Sequence, residues 1–218
     1  MSSHHAAAAA DLASVDLVLV RHARPLLLAG VEAARWELDP GAVPEIEALG
    51  HALAACLPAV ADVRLAGTVV ASHEPKAQAT ARELARVWGR HHSQAAGLEE
   101  QHRGVLPLVD DLTWRATVSR VFTSPHELVL GEETGFEAER RFAAAVEAVR
   151  AAATARGEGL SIVVSHGTVM TLYLAAANHL DPGELWGSLA MPEAMLVDSR
   201  TRHLVARLGA NGELRRPG

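Results

Sequence analysis

Three short, almost wholly apolar runs rich in valine and leucine punctuate the chain, at Leu17 to Val20, Gly67 to Ala71 and Leu160 to Val164. Strands that are covered on both faces have this pattern, because neither side of the pleat meets water. Each run is followed, sooner or later, by a segment with helical spacing of its apolar residues: Pro44 to Leu57, Pro75 to Arg90, and Thr168 to Ala177. Strands separated in this way by helices predict a three-layer α/β/α architecture with a mostly parallel central sheet. Two more helices are expected between the second and third strands, at Asp111 to Phe122 and Phe136 to Arg156, with Pro107 and Pro125 as punctuation. The first of them belongs to a helical excursion over the sheet edge near residues 105–130. Towards the end, Ala194 to Val197 and His203 to Leu208 predict a hairpin with its turn at Asp198 to Arg202. A single domain over residues 15–210 results, with residues 1–14 and 211–218 as tails.

Composition narrows the classes. With 218 residues, 49% hydrophobic and 21% charged, the chain has the balance of a folded globular domain, which excludes a disordered or collagen-like protein. Twenty basic against 26 acidic side chains give a net charge of -6, so no global field favours nucleic acid or an anionic membrane, and any anion must be held locally. The longest later apolar stretch, Leu160 to Ala177, is interrupted by Ser165, His166 and Gly167, and no transmembrane helix is expected. The alanine run before Asp11 lacks a preceding basic residue and makes a poor signal peptide. A lone cysteine, Cys56, rules out an internal disulfide; with no leader expected, it points to the cytoplasm. The chain is only 4% aromatic, so no stacking platform for a nucleotide or sugar is expected. Nothing in the sequence speaks to oligomeric state.

The ends of the three apolar runs carry the chemistry. The first ends in Arg21-His22, the second in Ser72 with Lys76 close behind at a helix start, and the third in Ser165-His166-Gly167. In open α/β sheets, ligands bind beyond the carboxyl ends of the strands, so these residues face one crevice. Lys76 is the only lysine in the chain. Such a cluster of cations is unfavourable without an anion, and a phosphoryl group is its natural counterpart. Arg21 offers a planar fork of donors and Lys76 a point charge. One imidazole can attack phosphorus while the other donates to its oxygens. A leaving alkoxide then needs a proton from a carboxylic acid.

At this point the residues resemble a family. Arg21-His22-Ala23, Ser72-His73-Glu74-Pro75-Lys76-Ala77-Gln78-Ala79-Thr80-Ala81 and Val164-Ser165-His166-Gly167 are similar in order and spacing to the histidine phosphatase, or phosphoglycerate mutase-like, superfamily. The resemblance implies a phosphoglycerate mutase-like fold, a nucleophile at His22 that is phosphorylated during turnover, and a phosphate pocket of Arg21, Lys76 and His166. It implies no cofactor and no metal. The stretch Leu98-Glu99-Glu100-Gln101-His102-Arg103-Gly104 resembles the segment that supplies the proton donor, which selects Glu100, with Glu99 as the neighbouring alternative. Arg24, Trp36 and Arg103 lie near the motifs and are candidates for the pocket mouth, with Ser72 and Gly167 beside the phosphate. Gly131-Glu132-Glu133 resembles the family's segment before a helix, where a carboxylate is favourable without a catalytic role. His91, His92 and His102 complete no recognisable metal-ligand spacing.

Three departures matter. Ala23 stands where the family usually has glycine, a change of consequence only if the backbone there needs a positive φ. Lys76 replaces the usual arginine, keeping charge and losing bidentate geometry. The late motif lacks the His-Asp dipeptide of the acid phosphatase and phytase branch, and the long segment of the full mutases is not recognisable between Arg24 and Pro44. Hydrolysis of a small phosphomonoester is therefore favoured over phosphoryl transfer between carbons, the alternatives being a mutase or a non-catalytic phospholigand-binding member.

Overall fold

The computed structural model describes residues 12–57, 66–107 and 109–217. The alanine run at the N-terminus lies outside them. Seven strands form one mixed sheet in the order β3-β2-β4-β1-β5-β6-β7, with β1 Leu17–Arg21, β2 Ala66–Ala71, β3 His92–Gln94, β4 Leu160–Ser165, β5 Glu193–Asp198, β6 His203–Gly209 and β7 Leu214–Arg215. The first four strands are mutually parallel, and β5, β6 and β7 extend the sheet from β1 by antiparallel pairing.

Alternation within β1 shows why the apolar runs are unbroken. Val18 and Val20 point into one core with Ile46, Leu49 and Leu53 of helix α1 (Val43–Cys56) and Ala77, Ala81 and Leu84 of α2 (Pro75–Trp88). Leu17 and Leu19 point into the other, with Phe142 and Val146 of α4 (Gly135–Ala155) and Val169, Met170 and Leu174 of α5 (Gly167–Asn178). A period of two with both phases apolar is the signature of a strand between two helix layers. The remaining helices are α3 (Asp111–Thr123) and α6 (Pro182–Ser188), which pack against each other beside the carboxyl ends of the strands. Of the two, α3 lies within the segment of the excursion expected near residues 105–130.

Local sequence sets the helix ends. Thr134 and Glu137 close a reciprocal capping box at the start of α4, Asp110 accepts the Thr113 N–H at the start of α3, and Gly89 ends α2 in the left-handed region at φ 63°. The residues placed in a C-terminal tail, 211–218, include β7; a turn with Gly212 at φ +77° folds the chain back onto β6. A two-residue strand is too short to show a period, and for the same reason β3 was not legible. Among the described residues no helix is long and apolar enough to cross a membrane.

Candidate functional site

Strand register assembles the site. Arg21 lies opposite Ser165, and Ala71 opposite Val164. The pairing continues one residue beyond the strands, with the His22 N–H donating to Ser165 O (2.9 Å) and the Ser72 N–H to Val164 O (3.0 Å). His22, Ser72 and His166 are thus brought side by side from positions as far apart as the first and last motifs. One cavity is lined by Arg21, His22, Arg24, Lys76, Glu100, Arg103, His166 and Gly167 of the predicted residues, together with Trp36. Ser72 stands behind it, hydrogen-bonded to His166.

His22 is held as a neutral base. Its Nδ1 lies 2.7 Å from Ala23 O, an acceptor, so Nδ1 carries the hydrogen and Nε2 keeps its lone pair. Burial, with His166, Lys76 and Arg21 nearby, pushes its pKa well below the usual imidazole value, outweighing the Ala23 hydrogen bond. The ring of His166 is 5.0 Å away, centre to centre. Ala23 itself is accommodated: the non-glycine residues with positive φ among those described are His179 and Arg202. Its N–H donates to Thr80 Oγ1 (3.1 Å), whose hydroxyl donates to Lys76 O, tying the first motif to helix α2.

Lys76 is less a free cation than the sequence suggests. Its ammonium is buried, donates to Ala33 O (2.7 Å) and pairs with the buried carboxylate of Glu74. The other oxygen of Glu74 accepts the Glu100 N–H (2.8 Å) and lies 3.3 Å from His166 Nε2. Glu74 therefore joins three functional segments, a role that sequence reasoning missed. The signal was an acid two residues before the only lysine, but at that spacing just a structure shows that both are buried on the same side. Arg21 donates through Nη1 to Leu189 O (2.6 Å), and burial lowers its pKa to about 10. Its guanidinium passes so close to Gly167 that a Cβ there would sit 3.1 Å from Nε. Arg21 Nε and His166 Nδ1 are buried without a hydrogen-bond partner, a costly state that an oxyanion would relieve.

Glu100 and Glu99 diverge. The carboxylate of Glu100 reaches the N-terminus of α5, accepting N–H bonds from Thr168 (3.1 Å) and Val169 (3.2 Å), and lies 3.6 Å from Arg103 Nη2. Burial pushes its pKa up, but Arg103, His166 and the backbone N–H groups outweigh this and hold it below the usual value. Glu99 turns instead to Gly97 N (2.7 Å) and to His73.

The loop carrying both is clamped by Arg141 of α4. Its guanidinium donates to the carbonyl oxygens of Gly97, Glu99 and Glu100 and pairs with Glu133. Glu133 in turn accepts the His102 N–H (3.1 Å). The carboxylate expected merely to favour a helix start is thus part of the scaffold of the acid loop. Gly131 is required here: at φ +62° its Cβ would fall 2.3 Å from Arg103 Cα. Arg141→Ala should cost about 2–4 kcal/mol of stability, since it strands a buried carboxylate and three carbonyl oxygens. Urea denaturation measures this, and a loss below 0.5 kcal/mol, taken as about the ordinary surface value, would contradict it.

The cavity extends outward to about 770 Å³. Trp36, Trp114 and Trp186 line it, so three of the chain's four tryptophans converge on one place, against the expectation of no aromatic platform. Composition counts rings without locating them, and these three come from separate segments.

The buried histidines carry a stability consequence. Burial lowers the pKa of His166 as of His22, with Lys76 adding to it and Glu100 partly opposing. In the unfolded chain both take up protons near pH 6.5, while in the fold they stay neutral well below that. The unfolded state then binds more protons, so stability falls as pH drops below about 6.5, by up to about 1.4 kcal/mol per pH unit for each histidine. Denaturation at pH 7, 6 and 5 should show this slope, and His22→Gln should reduce it; an unchanged slope would mean that His22 is protonated in the fold.

Fold and site together define an α/β domain with a pocket holding two buried histidines, Arg21 and Lys76 at the carboxyl ends of parallel strands. Residues 17–202 match the histidine phosphatase superfamily (branch 1), and the chain belongs to that family. Among solved structures it is similar to a mycobacterial glucosyl-3-phosphoglycerate phosphatase, at 16% identity and TM-score 0.56 over 87% of this chain and 94% of that one. It is also similar to Bacillus stearothermophilus YhfR, at 22% identity and TM-score 0.58 over 86% and 94%. A phosphoglycerate mutase from Bacillus anthracis str. Sterne aligns at 16% identity and TM-score 0.57 over 94% and 93%. At these identities the likeness is one of fold, phosphoglycerate mutase-like as expected. Comparison with curated proteins gives no significant match.

Proposed function

We propose that this protein is a phosphatase that hydrolyses a phosphomonoester through a phosphohistidine on His22. The observation that carries this reading is the neutral His22, with Nδ1–H bonded to Ala23 O and Nε2 open to a cavity that also holds Arg21, Lys76 and His166. Arg21, Lys76 and His166 receive the phosphoryl oxygens. Ser72 is a positioning residue: its Oγ accepts the Glu74 N–H (3.2 Å) and has its own hydrogen for His166 Nε2 (2.7 Å), which leaves Nδ1–H for the phosphate.

The electron pair of His22 Nε2 attacks phosphorus and the bond to the ester oxygen breaks. That oxygen takes a proton from Glu100. Water then attacks the phosphorus of phospho-His22 while the Glu100 carboxylate accepts its proton; the P–N bond breaks and inorganic phosphate leaves. Arg103, His166 and the backbone N–H groups hold Glu100 ionised, and a phosphate dianion placed beside it raises its pKa, so the acid forms where it is needed. Because side chains meet the phosphoryl charge, activity is expected to survive a chelator. A cytoplasmic location accompanies this reading.

Product analysis is the test. Incubation with glycerol 3-phosphate, p-nitrophenyl phosphate and both phosphoglycerates, in the presence of chelator, should yield free phosphate in step with alcohol. An isomerised phosphoglycerate with little free phosphate would make the protein a mutase, and binding without any product would make it a non-catalytic member.

A further inference from the structure

A phosphoryl group occupies only a small part of the cavity of about 770 Å³. The rest is walled by Leu27, Val31, Trp36, Trp114, Trp186 and Met191. Leu27 is 62% exposed and Met191 37%, so apolar surface stands open to water around a pocket with a cationic floor. Exposed apolar surface gathered at one place marks a binding site rather than ordinary packing.

Several polar groups of the walls are already committed. Trp36 Nε1 donates to Leu28 O (3.2 Å) and Val31 O (3.1 Å). Arg103 lies over the Trp114 ring at 5.0 Å and donates to Thr168 Oγ1 (2.6 Å). Arg24, at the mouth, is paired with Asp39 and Glu45. Glu32 adds a carboxylate to the lining, and Asp111 lies there paired with Arg115 (2.7 Å). A second anionic group on the substrate would therefore meet paired arginines and acidic side chains, whereas a hydrocarbon body would meet tryptophan, leucine and methionine.

We propose that the substrate is the monophosphate ester of a bulky, apolar, uncharged alcohol or phenol, with the phosphate on the floor formed by Arg21, His22, Lys76 and His166 and the hydrocarbon between the tryptophans. This rests on the phosphatase reading and specifies the leaving group. The compact polyanions, phosphoglycerates among them, are poor substrates on this view, because they leave the apolar walls wet and bring charge to the acidic mouth.

The experiment compares pairs matched in leaving-group chemistry, so that intrinsic reactivity cancels: 1-naphthyl against phenyl phosphate, and citronellyl phosphate against glycerol 3-phosphate. In each pair kcat/KM should favour the bulky apolar member by about tenfold or more, the discrimination that a few buried carbons supply. The two pairs also separate fused aromatic from branched aliphatic bodies. Trp114→Ala and Trp186→Ala should each shrink the naphthyl-to-phenyl ratio several-fold, and Trp114→Phe should retain most of it, which distinguishes lost contact from misfolding. Phosphate release with a ratio near one, or with glycerol 3-phosphate preferred, would overturn the apolar substrate and leave the phosphatase standing. Release from none of the four would overturn the phosphatase reading and this one with it.

Discussion

His22→Ala is expected to lower phosphate release from any phosphomonoester by on the order of 10⁴-fold or more, because it removes the atom that carries the phosphoryl group between the two half-reactions. The rest of the pocket survives the change: Arg21, Lys76 and His166 are anchored to Leu189 O, to Glu74 and Ala33 O, and to Ser72, not to His22. The variant should accordingly still bind inorganic phosphate. Rapid quenching of the wild type with a ³²P-labelled ester should trap an acid-labile, base-stable phosphoprotein, and the variant should trap none. Unchanged turnover by His22→Ala would eliminate the covalent route.

The second large effect is expected at Glu100. Glu100→Gln should reduce kcat for an alkyl phosphate by about 10²–10⁴-fold, the usual contribution of a positioned general acid. The loss should be much smaller for p-nitrophenyl phosphate, whose leaving group departs without a proton. Glu99 accepts Gly97 N and faces His73, so Glu99→Gln should leave this leaving-group dependence intact. Glu74→Gln is the more informative control: it uncouples Lys76 and should weaken both substrates alike, through binding and positioning. A leaving-group signature at Glu74 or Glu99, absent at Glu100, would move the proton donor.

Much of the candidate site was legible because the family's motifs are local. His22 follows a strand and His166 precedes a helix within a few residues of their neighbours in sequence, and a short motif survives as a pattern of residue types. Glu100 was selected the same way, from a leucine and a glycine at fixed offsets. The groups that hold these residues were not legible. Arg141 works through the backbone carbonyls of Gly97, Glu99 and Glu100, and carbonyls leave no trace in residue identity. Glu74 was in plain view inside the second motif, yet the Glu100 N–H that it accepts and the His166 ring that it lies beside belong to segments joined only by strand register.

The sequence by itself determined the layered architecture, since doubly apolar strands between amphipathic helices have few stable arrangements, and its motifs named the candidate site residues. Tertiary structure alone decided the charge state of the site and the shape around it. The Lys76–Glu74 pair cancels the formal positive charge of the pocket's second motif, and three tryptophans from separate loops and helices meet over one cavity. Both are long-range outcomes: pKa values and cavity walls depend on what burial brings within a few ångströms, and that distance is set by the packing of the whole chain.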